Sequence, residues 1–387
     1  MPRKQMLALF ICSLFPWIMG NGLLPLLPVY AVDLGASSAV AGYYLAVSYL
    51  ALAAGALSAG WISARFQRQK PLWIACLLGI PINLWLSRAG SLAELALATA
   101  CLWFLGGLGL ALINIIAGLY APQGKRGRTF GILGLAAGLG SIIGGFLTGP
   151  LAEYWGYSGL FSTFACLSVL WFISSLFVED KFIRSVPSAA PGTVTGNQRR
   201  RMVLASPGTG FVLLLLAMFL TALANFTGLL GRSLVMDTLN FSTTAITSTA
   251  AISAIFILPV APLVGVISDR LGRRPIMWVG YLCGALALIT MAFAGAFWQF
   301  SLAIFMLSLY TAITQNIANA WTVDLVAPDV LGRGLALMGS ITWFGGVFGF
   351  ALGGVMIQAF GATSVLLGAA ALFVLAGALL IWVRNER

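Results

Sequence analysis

The stretch Gly265-Val266-Ile267-Ser268-Asp269-Arg270-Leu271-Gly272-Arg273-Arg274 sets one acid and three arginines between two long apolar runs, Ala245 to Ser268 and Pro275 to Phe293. Charge confined to so short a break reads as a loop between two helices that lie in a nonaqueous solvent. A weaker copy, Gly60-Trp61-Ile62-Ser63-Ala64-Arg65-Phe66-Gln67-Arg68, stands 205 residues upstream. Two further landmarks keep nearly the same distance. Ala121, Pro122, Arg126 and Gly127 recur as Ala327, Pro328, Arg333 and Gly334 at offsets of 206 and 207, and Gly149 recurs as Gly353 at 204. Equivalent helix ends at one offset indicate an internal duplication.

Composition says what the solvent is. Of 387 residues, 60% are hydrophobic and 8% charged, against about 25% charged in ordinary soluble domains. A water-facing surface cannot be covered from that supply, so the expected surroundings are lipid. A hydrocarbon core about 30 Å thick needs roughly 20 apolar residues per helix. Twelve such runs are found: Met6 to Ala31, Ala39 to Ala64, Pro71 to Leu86, Leu95 to Leu119, Thr129 to Ala152, Ser158 to Val178, Phe211 to Val235, Ala245 to Ser268, Pro275 to Phe293, Phe300 to Val326, Leu335 to Ile357 and Thr363 to Val383. The expected fold is an all-α membrane protein of twelve transmembrane helices in two pseudo-symmetric six-helix bundles, residues 1–180 and 210–387. Residues 181–209, with Pro187, Pro191, Pro207 and the run Arg199, Arg200, Arg201, read as a linker without a core of its own.

The formal charge of +11 does not describe a nucleic-acid face, because the basic residues fall between apolar runs. If the N-terminus is cytoplasmic, 19 of the 21 Lys and Arg lie in cytoplasmic segments and only Arg88 and Arg232 lie toward the other side. The positive-inside rule then puts both termini, and the linker, in the cytoplasm. The Arg3, Lys4 start followed by an apolar stretch superficially matches a secretory leader. That stretch runs on to about Ala31 through Pro16, Pro25 and Pro28, too long for a cleaved one.

Several chemistries are excluded. There is no histidine, which removes His-based metal sites, Ser/His/Asp triads and histidine proton relays. Cys12, Cys76, Cys101, Cys166 and Cys283 stand singly in apolar runs and read as small core residues. Gly124-Lys125 is no phosphate loop, since Leu119 stands where the first glycine belongs and Arg126 where Ser or Thr is required. No enzyme activity, metal or cofactor is expected.

The Gly265 to Arg274 segment matches the loop signature of the major facilitator superfamily at every defining position, and the chain resembles that family over its whole length. The resemblance implies alternating access between two six-helix halves latched on the cytoplasmic side. A carboxylate at Asp269 would face the start of span five near Arg126 to Thr129, where free helix N–H groups and the dipole favour an anion. Asp324 would pair with Arg270 or Arg273. The first-half copy keeps Arg65 but carries Ala64 for the acid and Gln67 for the glycine, and Gly118 stands opposite Asp324. The expectation is therefore an asymmetric latch, with a charge cluster in the second half and arginines without acids in the first. Glycines crowd spans five and eleven, among them Gly140, Gly144, Gly145, Gly149, Gly345, Gly349 and Gly353. Close helix packing in lipid is the favoured reading, and a bending or sliding face the alternative.

In that family the cavity is lined mainly by spans one, four, seven and ten. The resemblance makes Asn21, Asn114, Asn225, Gln315, Asn316 and Asn319 the polar candidates, with Tyr43, Trp103, Tyr310 and Trp343 as aromatic walls. No Asp or Glu falls in the middle of a span. Asp33 and Asp237, 204 residues apart at outer ends, and Arg232, a turn or so deeper, are candidates for an outer gate or proton site; interfacial charges are the plainer reading. Leu24-Pro25-Leu26-Leu27-Pro28, with Tyr30, Asp33 and Gly35, looks like the twelve-span drug/proton antiporter branch, although the Gly149-Pro150 order departs from the antiporter signature. An uncharged interior rich in Phe, Trp and Met suits hydrophobic or neutral cargo better than phosphates or di-acids, which call for buried Lys or Arg. The expected function is efflux of such a molecule from a bacterial inner membrane by a monomer, with proton exchange as candidate coupling. An uptake permease for a sugar or metabolite is the alternative, and a non-transporting membrane sensor the alternative of another class.

Overall fold

The computed structural model describes residues 3–120, 126–180, 208–326 and 331–383, apart from the side chains of a few residues, Arg126 and Asp269 among them. Every regular element among the described residues is a helix: α1 (Arg3–Leu23), α2 (Leu27–Asp33), α3 (Ser38–Arg65), α4 (Gln69–Leu86), α5 (Leu92–Tyr120), α6 (Arg126–Leu176), α7 (Thr209–Thr238), α8 (Thr243–Ile257), α9 (Val260–Leu271), α10 (Arg273–Ala292), α11 (Phe297–Leu325), α12 (Leu331–Phe360) and α13 (Ala362–Trp382). Nine stretches of these are long and apolar enough to cross a membrane. The predicted linker falls almost wholly outside the described residues.

Two predicted spans, the first and the eighth, differ from the helices. The first is broken at Leu24–Leu26, after which Pro28 opens α2 in the first turn, where its missing N–H costs nothing. The eighth is broken between α8 and α9, where Pro259 caps the new helix. Runs five and six keep their predicted boundary: α6 is bent between them at Gly156, whose φ of +65° and ψ of 180° lie outside the helical region. In the first and eighth spans apolarity continues through the break, so composition alone does not mark it.

Helices α1 to α6 pack chiefly on one another, through α1 on α6, α3 on α5, and α4 on both α5 and α6. Helices α7 to α13 do the same, through α7 on α12 and α13, α10 on α11 and α13, and α8 on α11. Two large contacts cross between the groups: α3 on α12, and α6 on α8. Glycine makes these contacts close. A Cβ at Gly42 of α3 would meet the Phe350 carbonyl and Gly354 of α12, and one at Gly149 of α6 would meet Thr243, Thr244 and Thr247 of α8. Within the groups, Gly144 lies against Ile18 and Gly22 of α1, and Gly349 against Leu223 and Phe226 of α7.

The duplication is visible in these pairs. Gly22 with Thr148, and Thr227 with Gly353, are the same two positions 205 residues apart, with glycine and threonine exchanged between the partner helices. Thr148 Oγ1 donates to the Gly22 carbonyl at 3.0 Å, and Thr227 Oγ1 to the Gly349 carbonyl at 2.9 Å. The two crossings between the groups repeat likewise. Gly42 with Gly354 in one corresponds to Thr247 with Gly149 in the other, so Gly149 matches Gly354 rather than Gly353.

The signature loop owes its shape to Gly272, which ends α9 at φ +89° and lets α10 start one residue later. In the first copy Gln67 stands there, and the chain turns through an extended Phe66 at φ −124° and ψ 158° instead.

Candidate functional site

Between the two groups of helices lies a cavity of about 470 Å³, lined by α1, α6, α7, α8 and α11 with Tyr49 of α3. A second of about 270 Å³ lies beside it, lined by α1, α3, α5 and α12. The two share Trp17, Asn21 and Tyr49. The walls are mostly apolar with a few convergent polar groups, as ligand cavities usually are.

At the end bearing Asp33 and Asp237 the seam is shut. The Gly42–Gly354 and Gly149–Thr247 approaches lie there. Across them Gln358 Oε1 accepts from Ala39 N at 3.2 Å, Thr243 Oγ1 donates to the Gly149 carbonyl at 3.1 Å and Thr244 Oγ1 donates to Glu153 at 2.6 Å. Just below, Tyr49 meets Phe226 and Phe350 edge-on, with centroids 5.2 and 5.0 Å apart. Toward the other end Gly134 of the cavity wall faces open space.

Several predicted amides reach the cavities. Asn21 lines both and donates to Ser141 Oγ at 2.5 Å, tying α1 to α6. Asn225, Gln315 and Asn316 line the larger, and Asn114, Trp103 and Trp343 the smaller. Asn316 spends its amide on the Ala312 carbonyl one turn back, at 2.7 Å. The side chain of Asn225 makes no hydrogen bond among the described residues and is free to serve a ligand.

Three expectations are corrected. Tyr43 lines neither cavity and is 53% exposed on α3; its neighbour Tyr44, about 100° around the helix, turns inward and meets Thr99 at 2.9 Å. Tyr310 is 3% exposed and packs edge-on to Phe373 with centroids 4.8 Å apart, in the core of the second group. Asn319 lines neither cavity and returns its amide to the Gln315 carbonyl at 3.0 Å.

The gate candidates separate. Asp33 accepts from Tyr157 Oη at 2.7 Å, with Tyr157 stacked on Tyr30 at 3.7 Å. Arg232 is not with the acids. It is 2% exposed and lines the larger cavity. Its neighbours are the hydroxyls of Thr249 at 3.3 Å and Ser233 at 3.5 Å, and Nε has no partner. The expected uncharged interior is therefore corrected: among the described residues a guanidinium stands in the wall, and no carboxylate lines either cavity. The spacing Asn225 to Arg232, two helical turns on one face of α7, was a signal for this. Tyr49, Ser141 and Phe226 left no such trace.

At the opposite end Arg273 pairs with Asp324 at 3.5 Å and bonds Ser268 Oγ at 2.8 Å. Arg270 is exposed, and the side chains of Asp269 and Arg126 lie outside those described. Arg65 stacks its guanidinium over Trp61 at 4.6 Å. The reading of first-half arginines without acids is overturned. Arg68, which matches Arg273 in the repeat, meets Asp180 at 3.6 Å in a buried pair. Asp180 also accepts from Arg68 N and from Tyr120 Oη, each at 3.0 Å.

A bilayer-spanning helical protein with a polar-studded cavity between two repeated groups of helices is the class that fold and site define. The sequence places it further: the family model described as Major Facilitator Superfamily matches residues 9–231 and 212–387, and the chain belongs to that superfamily of transporters. It is 25% identical over 329 residues to the multidrug resistance protein MdtG of Dickeya zeae, covering 81% of this chain and 74% of that one. It is 24% identical over 354 residues to MdtG of Salmonella typhimurium, covering 88% and 86%. Among solved structures, the fold resembles the nucleoside transporter NupG, with a TM-score of 0.78 at 16% identity over 99% of this chain and 100% of that one. It also resembles a bacterial homologue of the human lysosomal transporter Spinster in an inward-facing, unoccupied conformation, with a TM-score of 0.77 at 14% identity over 99% and 97%.

Proposed function

We propose that the chain is a twelve-span efflux transporter of the bacterial inner membrane, with both termini cytoplasmic, that moves a lipophilic small molecule by alternating access. Twelve spans follow if α1 with α2, α8 with α9, and each arm of α6 count as one. Residues 1–180 and 210–387 are then the two moving halves. The observation that carries the reading is the seam, which is shut by repeat-related glycine contacts at the Asp33 end and encloses a cavity deeper in. With the termini cytoplasmic this is an inward-facing state. The Arg273–Asp324 pair sits where a latch would act when the cytoplasmic side closes, with Asp269, Arg270, Arg65 and Arg126 as its other candidates. Efflux as the direction is supported by the relatives named for multidrug resistance.

Proton exchange is the proposed coupling, with Asp33 and Asp237 as candidate sites at the closed end. The test is flux in proteoliposomes of a panel of lipophilic dyes and drugs under an imposed pH gradient. Counter-movement of protons with dye supports antiport. Flux indifferent to pH would replace antiport by facilitation, and binding without flux for every compound would make the chain a sensor.

A further inference from the structure

We propose that the larger cavity takes an amphipathic organic anion, whose acidic group docks on Arg232 and whose apolar body lies against Trp17, Tyr49 and Phe226. The ligand's being cargo rests on the transport reading above; the site does not.

Arg232 is a permanent cation, since guanidinium is not deprotonated in proteins. A buried charge without a counter-charge is costly, and no residue among those described supplies one here. No carboxylate among the described residues forms an ion pair with Arg232. Asp237, five residues on along α7, points about 140° around the helix from it, and Asp33 is engaged by Tyr157. Two long contacts to hydroxyls and an Nε without a partner leave most of the planar donor fork unused. That fork matches the two oxygens of a carboxylate or phosphonate.

Arg232 stands in the cavity wall, 2% exposed, and two turns away on the same helix the free amide of Asn225 lines the same cavity. An oxyanion on the guanidinium would thus find a second donor along its flank. The remaining wall is largely apolar and aromatic, which calls for an apolar body and a single acidic group rather than a di-acid. A cationic compound would meet the guanidinium with no carboxylate in the wall to offset it, and a neutral one would leave the charge uncompensated.

The test compares three probes of one skeleton, 4-phenylbutyrate, 4-phenylbutanol and 4-phenylbutylammonium, binding to the full-length protein in lipid nanodiscs. Quenching of tryptophan fluorescence is the readout, since Trp17 lines the cavity. The expected result is binding of the anion at least ten-fold tighter than either analogue. Arg232→Gln should abolish that preference by weakening phenylbutyrate binding at least ten-fold, its thermal unfolding transition reporting that the protein is folded. Thr249→Asp, which hands the guanidinium an internal carboxylate, should abolish it as well, so one folded variant suffices. Equal binding of the three probes by the unaltered protein, or a preference for the alcohol or the ammonium, overturns the proposal. An anion preference that survives both variants does so too. Because binding is read without flux, anion-selective binding by a protein that moves nothing in liposomes would sink the transport reading and keep this site. Flux without anion preference would do the reverse.

Discussion

Asp180 receives Arg68 twice, once through the guanidinium at 3.6 Å and once through the backbone N–H at 3.0 Å, although 112 residues separate them. With Tyr120 Oη on the same carboxylate, one acid ties the α3–α4 turn, the end of α5 and the exit of α6. Beside it, Gln5 and Glu179 exchange two hydrogen bonds of 2.7 and 2.9 Å and bring in α1. The repeat thus supplies a charge pair in both halves, from Arg68 and Arg273, with acids drawn from different helices.

The two pairs should differ in worth. The Asp180 side chain is fully buried, whereas Arg273 and Asp324 are 25% and 44% exposed. Breaking a buried pair by removing one partner costs about 3–5 kcal/mol, and an exposed pair is worth about 0–1 kcal/mol. Asp180→Asn is therefore expected to lower the unfolding temperature in detergent far more than Asp324→Asn. Equal shifts in the two would contradict this account.

Gly149 and Gly354 leave no room for a side chain at the closed end of the seam. Gly149→Val is expected to hold that end open. Spin labels at Val40 and Gln358 should then report a longer, broader distance than in the unaltered protein, with flux reduced at least ten-fold. An unchanged distance distribution would mean that these glycines do not set the closure.

Asn225 and Tyr310, both chosen from the sequence as cavity residues, should now behave oppositely. Asn225→Ala is expected to weaken ligand binding and leave the unfolding temperature nearly unchanged. Tyr310→Ala empties part of a packed core, and large-to-small changes of aromatic residues there cost about 3–5 kcal/mol. Its effect should be read mainly in stability, by the same thermal unfolding measurement.

Gly272 holds a φ of +89° and a ψ of 159°, an essentially glycine-only region where a side chain costs about 1–3 kcal/mol. Gly272→Ala is expected to destabilise by about that amount, while Gln67→Ala at the matching position should be nearly neutral, because the first-half turn is made by an extended Phe66. Comparable losses at the two positions would show that the turns are built alike after all.

Much of this was legible in the linear chain. Asp324 was named from the sequence as partner for Arg270 or Arg273, and the structure joins it to Arg273, since loop and helix end lie at fixed places in the repeat. The glycine spacing announced close packing because a residue type repeated on one helical face has few other uses in lipid. Tyr43 was misplaced because aromatic and apolar residues lie on every face of α3 and the sequence does not say which face turns inward; the α3 ring that lines the cavities is Tyr49. The Asp180 pair was invisible because its partners belong to separate helices and share no motif.

The sequence by itself determined that the chain lives in lipid, that it is helical, and that it is built twice. Those properties follow from summed apolarity and from an offset, neither of which needs coordinates. Only the tertiary structure decided which glycines meet, where Asp180 finds its cation, and that Arg232 lies in the cavity wall rather than beside Asp237 of its own helix. Such facts depend on the rotation of one packed helix against another, which helical periodicity limits to a face but only the neighbouring helices select.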